Sequence, residues 1–239
     1  MRTTERHQLK HDRFAETAAE TYSWAAEHRD KLLWAGLVLA IILVAVIGGY
    51  TYMDRQSDQA NIALSDAMRT YNAPIGPANP ATPDEKTFPT VADRAKAAHA
   101  QFEAVADKYS HTGAGKIARY MGGVTALRMG DAAMAERELN RVADDGGADV
   151  ASLAKLALAG VYRSTNRDQQ AIDTYKYLID HPTNAVGKSE AQLELASLYE
   201  TKQPAEAKRI YEEIKKDAPN SMAAEIANTK LSGGAPPAQ

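Results

Sequence analysis

Cysteine is absent from this 239-residue chain. That excludes a disulfide scaffold, a thiol nucleophile and a cysteine-ligated zinc site. Aromatic residues make up only 7%. With alanine abundant, this suits short packed helices better than a β-sandwich. Neither sign of charge dominates: 28 Lys+Arg stand against 31 Asp+Glu, a formal net charge of −3. No basic excess points to nucleic acid, and no acidic run points to a solvating tail. Catalytic signatures are missing too. There is no G-x-x-x-x-G-K-[ST] phosphate loop, no G-x-S-x-G elbow and no H-E-x-x-H helix. The acid pairs Asp144–Asp145 and Glu212–Glu213 have no partner base at readable spacing and read as solvated helix faces or ends. His7 and His11 share an i,i+4 spacing, but the stretch HQLKH supplies neither a glutamate nor a third ligand. His99, His111 and His181 are isolated, the last two near expected helix ends, where an imidazole can cap carbonyls. The sequence therefore indicates no catalytic residue, no cofactor and no metal, and so no enzyme.

What the chain does have is one long apolar run. Leu32 to Tyr50 carries no charge. At about 1.5 Å per residue its 19 positions cover roughly 28 Å, close to the hydrocarbon thickness of a bilayer. Trp34 stands near one end, and Tyr50 and Tyr52 at the other, where amphipathic rings prefer the interface. Lys31 and Arg55 can extend their charged heads outward. In a small soluble domain, a buried core helix of this length rarely lacks a polar face. A cleaved signal has a short leading region, a shorter apolar core and a small-residue exit. Here thirty-one residues precede the run, and bulky Tyr50 and Tyr52 follow its glycines. The expectation is a permanent transmembrane helix over 32–52, anchoring the chain to a lipid bilayer.

Orientation follows from the basic residues. Arg2, Arg6, Lys10, Arg13, Arg29 and Lys31 precede the span, whereas Arg55 stands alone until Arg69. The side richer in Lys and Arg stays cytoplasmic. Residues 1–31 are therefore expected in the cytoplasm and the rest across the membrane. Within the first segment, Phe14, Ala18 and Tyr22 form a weak apolar stripe, and Glu27 and Lys31 an i,i+4 pair of favourable order. The segment reads either as a solvated helical lead-in or as a contact site for a cytoplasmic partner.

Beyond the span the pattern is helix after helix, expected over 53–231. The unit starting at Ser152 resembles a tetratricopeptide repeat. Leu158, Ala159 and Tyr162 give its first helix a large-small-large pattern, and Ala171 and Tyr175 stand four apart in its second. Asn166 occupies the turn where glycine is usual, and Pro182 closes the unit. Lys155 stands where the repeat signature has tryptophan. The preceding unit starts at Lys116, 36 positions before Ser152 against a usual period of about 34. It places Gly123 at the small position, Gly130 at the turn, and Ala135, Leu139 and Val142 along the second helix. The following unit, from Ser189, has Leu195, Ala196 and Tyr199, then Ala207, Tyr211, Ile214 and Pro219 after a one-residue deletion at Gln203–Pro204. Small residues let paired helices approach, and large ones fill the gap to the next pair. Upstream, QANIALSDAMRTY and VADRAKAAHAQFEAVADKYS read as a degenerate fourth pair. The prolines between them make 72–90 an extended loop. Met222–Leu231 reads as a capping helix and 232–239 as a disordered tail. The expected fold is all-α: one N-terminal transmembrane helix followed by a tetratricopeptide-like α-solenoid.

A short basic N-terminus, one span and then a degenerate and several recognisable repeats together resemble the YfgM-like family of ancillary SecYEG translocon subunits in bacterial inner membranes. The resemblance covers nearly the whole chain, and the loop at Asn72–Thr90 departs from it. It implies a periplasm-facing adaptor near the Sec translocon that works with periplasmic chaperones on newly exported proteins. Repeats of this kind line a concave surface with their first helices, and one subclass clamps a C-terminal carboxylate there with Lys, Asn and Arg. The matching positions here are Tyr120 and Val124, Leu156 and Gly160, then Leu193 and Ser197, with Arg163 nearby. No clamp is present. The positions suit an apolar polypeptide segment or amphipathic helix laid in a groove. Leu156 and Leu193 would serve equally well as packing between neighbouring repeats. A scaffold for another envelope assembly (outer-membrane biogenesis or division) would use the same surface, and a regulator would act through residues 1–31.

Overall fold

The structure, a computed structural model, describes residues 28–77 and 86–233. The expectations for most of the 1–31 segment, the middle of the 72–90 loop and most of the 232–239 tail fall outside those residues. The chain divides into two compact units, Met1–Arg55 and Gln56–Gln239.

The first helix among the described residues, α1, spans Arg29–Tyr71, and the division between the units falls within it. In the first unit, α1 contains a window of high mean hydropathy, 2.7, none of it buried. Leu37, Ile41, Val44 and Ile47 are all at least half exposed. By length and composition this helix is apolar enough to cross a membrane. The helix extends well past the apolar run because MDRQSDQAN contains neither proline nor glycine to stop it.

The second unit holds the end of α1 and eight further helices among the described residues: α2 (Val91–Lys108), α3 (Gly113–Arg128), α4 (Ala132–Asp145), α5 (Ala148–Ser164), α6 (Asp168–Asp180), α7 (Lys188–Lys202), α8 (Pro204–Asp217) and α9 (Met222–Leu231). There is no strand among the described residues. A lone bridge, Ile75 to Phe88, closes the base of the 72–90 loop, where the Arg94 guanidinium also donates to the Ala73 carbonyl at 2.8 Å.

Helix starts follow local chemistry. The hydroxyls of Thr90, Thr112 and Ser221 and the carboxylate of Asp131 each accept a first-turn amide, as N-caps do. Pro204 opens α8, where its missing N–H costs nothing. The turns within pairs use left-handed residues: Gly130 at φ 81° and Asn166 at φ 59°. The asparagine thus does the work of the usual glycine.

Sequential helices pack on one another from α2 to α9. The pairs α3–α4, α5–α6 and α7–α8 are the three repeats read in the sequence. The end of α1 and α2 share a core of Ala60, Ala67, Phe102 and Val105, extended by Ala118 of α3. Leu139, Val142, Leu158 and Val161 fill the next layer. Tyr175, Leu195, Tyr199, Tyr211 and Ile214 fill the last, closed by Ala227 of α9. Gly123 is what permits the close α3–α4 approach: a β-carbon there would lie 2.6 Å from Leu139 Cγ.

Candidate functional site

The seven positions singled out in the sequence lie on the first helices of three successive pairs: Tyr120 and Val124 on α3, Leu156, Gly160 and Arg163 on α5, Leu193 and Ser197 on α7. Tyr120, Val124, Leu156, Leu193 and Ser197 are half-buried, and Gly160 and Arg163 exposed. A β-carbon added at Gly160 would meet nothing within 4 Å, so this stretch of α5 faces open space.

The apolar members have an inner and an outer side. Tyr120 packs on the layer of Leu139 and Val142. Leu156 and Leu193 both pack on the layer containing Tyr175 and Leu195, and Leu156 also touches the small cluster of Leu178, Val186 and Ala191. The packing use of Leu156 and Leu193 is therefore real, and it leaves part of each side chain accessible.

Electrostatics links the three helices. Burial pushes the Tyr120 phenol up from its ordinary value, and Tyr71 at the end of α1 and Glu190 of α7 push it the same way. Tyr120 therefore stands within electrostatic reach of the first helix before its own and of the first helix two pairs on. Arg163 Nη1 lies 3.6 Å from Glu194 Oε2, joining α5 to α7. Burial raises the Tyr175 phenol as well, with Glu194 adding to the shift and Arg163 opposing it. The Arg128 guanidinium sits 4.2 Å from the Tyr71 ring centroid, a cation–π contact.

Tyr71, Arg128, Glu190 and Glu194 were not singled out in the sequence. Glu190 and Glu194 are four apart on the helix that carries Leu193, and that spacing was the signal available for them. Tyr71 lies in the degenerate pair, which has too little of the repeat pattern to set a register.

Among the described residues no group of three or more His, Asp and Glu is placed to hold a metal ion. His99 is buried and structural: its Nδ1 lies 3.1 Å from the Gly122 carbonyl and 3.2 Å from Thr125 Oγ1, and its Nε2 is 3.3 Å from Glu103. His181 Nδ1 lies 3.0 Å from the Tyr177 carbonyl at the end of α6, as a capping imidazole would. His111 makes no such bond and lines a separate cleft.

A family model described as a tetratricopeptide repeat-like domain matches residues 22–233. No curated protein matches, and no solved structure matches.

Proposed function

The chain belongs to the tetratricopeptide repeat-like domain family, and from that premise we propose that it is a membrane-anchored adaptor holding a polypeptide against α3, α5 and α7. Domains of this family are typically non-catalytic modules for protein–protein interaction. The observation that carries the reading is the half-burial of Tyr120, Leu156 and Leu193 on successive first helices, beside the open surface at Gly160. Apolar side chains fixed on their inner side and bare on their outer side form a preorganised docking strip. Val124, Arg163 and Ser197 border it.

The setting we propose is the bacterial inner membrane, with α1 as the single span, residues 1–31 cytoplasmic and the repeats periplasmic. The Lys/Arg asymmetry around Leu32–Tyr50 supports the orientation. The SecYEG translocon and a periplasmic chaperone are the proposed partners, supported by the resemblance of span plus repeats, with newly exported proteins as the cargo handed on.

Photocrosslinking in cells from positions 120, 156 and 193 tests the partner. Crosslinks to translocon subunits or chaperones are expected, and their loss in Tyr120→Ala/Leu156→Ser that remains helical by circular dichroism. Unchanged crosslinks in the folded double variant would place the partner on another face. Crosslinks only to outer-membrane assembly or division proteins would make the chain a scaffold for those. Loss of function on deleting residues 1–28, with crosslinks intact, would favour a regulator acting from the cytoplasm.

A further inference from the structure

A cleft of about 590 Å³ opens between the α2–α3 turn, the start of α3 and the end of α4. None of the seven strip residues lines it. Ser110, His111, Lys116, Arg119, Arg141 and Asp145 do. Three permanent cations and one carboxylate line it, while Arg119 and Arg141 also each lie against an acid outside the lining, Asp107 at 3.4 Å and Glu138 at 3.6 Å.

The cations are incompletely used. Among the described residues the side chains of Lys116 and His111 have no hydrogen-bond partner. Arg141 has an ion contact to Glu138 at 3.6 Å and no hydrogen bond. Arg119 uses a single nitrogen, Nη2, which donates to the Ala106 carbonyl at 3.3 Å and to Asp107 Oδ1 at 3.4 Å. These two contacts hold the guanidinium in place and leave the rest of its fork uncommitted. Lys116 is also set against local preference. It lies in the first turn of α3, which contains no acidic residue, where the helix dipole disfavours a cation. Asp145, on the last turn of α4, forms no ion pair with it.

We propose that this cleft binds a phosphate ester. Two arginine forks and a lysine point charge, carried by two helices, suit a multiply charged tetrahedral oxyanion with several acceptor oxygens. A planar carboxylate offers only two. The volume exceeds a bare phosphate and lies in the range of small-molecule sites. The remaining lining suits the alcohol part of an ester, since the Asp145 carboxylate accepts from a hydroxyl and Ser110 and His111 can donate or accept. The same group occurs on soluble glycerol or sugar phosphates and on phospholipid headgroups. The site is independent of the polypeptide strip.

The test is calorimetric titration of the full chain in uncharged maltoside micelles. The probes are inorganic phosphate, glycerol 3-phosphate and short-chain phosphatidylglycerol. One saturable site is expected, weakened about tenfold or more in Lys116→Gln/Arg141→Gln. Asp145→Ala should erase any preference for glycerol 3-phosphate over inorganic phosphate. Binding of the soluble ester alone identifies a soluble ligand, and binding of the lipid alone a headgroup, each supporting the site if the double variant loses it. Should the double variant fail to fold by circular dichroism, Lys116→Met alone carries the comparison. No saturable binding of any probe, or equal binding by the folded variant, overturns the proposal. So would binding of a Glu-rich peptide in the cleft with every phosphate probe silent.

Discussion

At Gly123 the α3–α4 pair has no room for a side chain, because Leu139 stands where the β-carbon would go. Gly123→Leu should force the helices apart and destabilise the repeat unit by about 1–3 kcal/mol. Urea unfolding followed by circular dichroism measures this, and a variant that melts like the parent would mean the pair is not packed through this glycine. Charge pairs give a second residue-scale expectation. Both terminal guanidinium nitrogens of Arg167 donate to the Glu136 carboxylate, at 2.8 and 2.7 Å. That bond holds Glu136 below the usual carboxylate range. Lys188 lowers Asp217 in the same way. At Glu200 burial works upward, but hydrogen bonds from Lys230 and Tyr211 together with the charges of Lys230 and Arg163 outweigh it, so its net shift is also downward. A carboxyl lowered in the folded state binds its proton more readily when unfolded. Its stabilising contribution is therefore complete above the ordinary pKa of 4.5 for Glu136 and is lost as pH falls through the lower folded value. Stability should decline on acidification through that window, and Glu136→Gln should flatten the decline. Parallel slopes for the two proteins between neutral pH and about pH 3.5 would remove the Arg167 pair from the account.

Between elements, the departure of Lys155 from the repeat signature has a structural explanation. The Lys155 ammonium donates to the Ala143 carbonyl at 2.7 Å, near the end of α4, and sits 5.5 Å from the Tyr177 ring centroid. A lysine thus caps one pair and contacts the next, where the signature would place a bulky ring. The α6–α7 turn is tied down in a comparable way. Asp149 Oδ1, in the first turn of α5, accepts the amides of Asn184 and Ala185 at 3.1 and 3.3 Å. Ser152 and Thr183 share a hydroxyl bond of 2.7 Å. Asp149→Ala should leave two amides without their acceptor and cost about 1 kcal/mol. Faster hydrogen exchange confined to residues 183–187 is the sign to look for, and unchanged exchange there would dismiss the tie. These two features mark the border of what the sequence disclosed. The small and large positions on α3, α5 and α7 were legible because they recur once in each repeat unit, at a near-constant spacing along the chain. The Asp149 tie was not, since its partners lie 35 and 36 residues away with no periodic signal. The candidate strip was legible as positions, but the sequence could not show how much of Leu156 and Leu193 the neighbouring repeat covers. The arginine–lysine cleft was invisible beforehand because the register followed the apolar positions Leu139 and Val142 of that helix, and nothing periodic links Arg141 to Lys116 and Arg119.

For the chain as a whole, the packing of the second unit on its own layers implies independent folding. Residues 56–231 made without the apolar run should be soluble, helical and cooperatively unfolding, because each pair buries its apolar face on the next. Aggregation or a non-cooperative melt of that fragment would show that the repeats need the rest of α1. One further property follows from the way the helices follow each other in space in the order of the chain. Contacts that skip a helix are few, α3 with α5 and α7 with α9. Among the described residues such a stack has no clasp joining its distant parts that must break before anything else yields. Stretched between its ends in an optical trap, it should give way as a staircase of small rips, each releasing one pair. The 36 residues from Lys116 to Ser152 set the size of a step at roughly 120 Å of contour before the folded width is subtracted. A stack of this kind, loaded along its length, would then behave as an extensible spring, lengthening under load and recoiling pair by pair when the load is released.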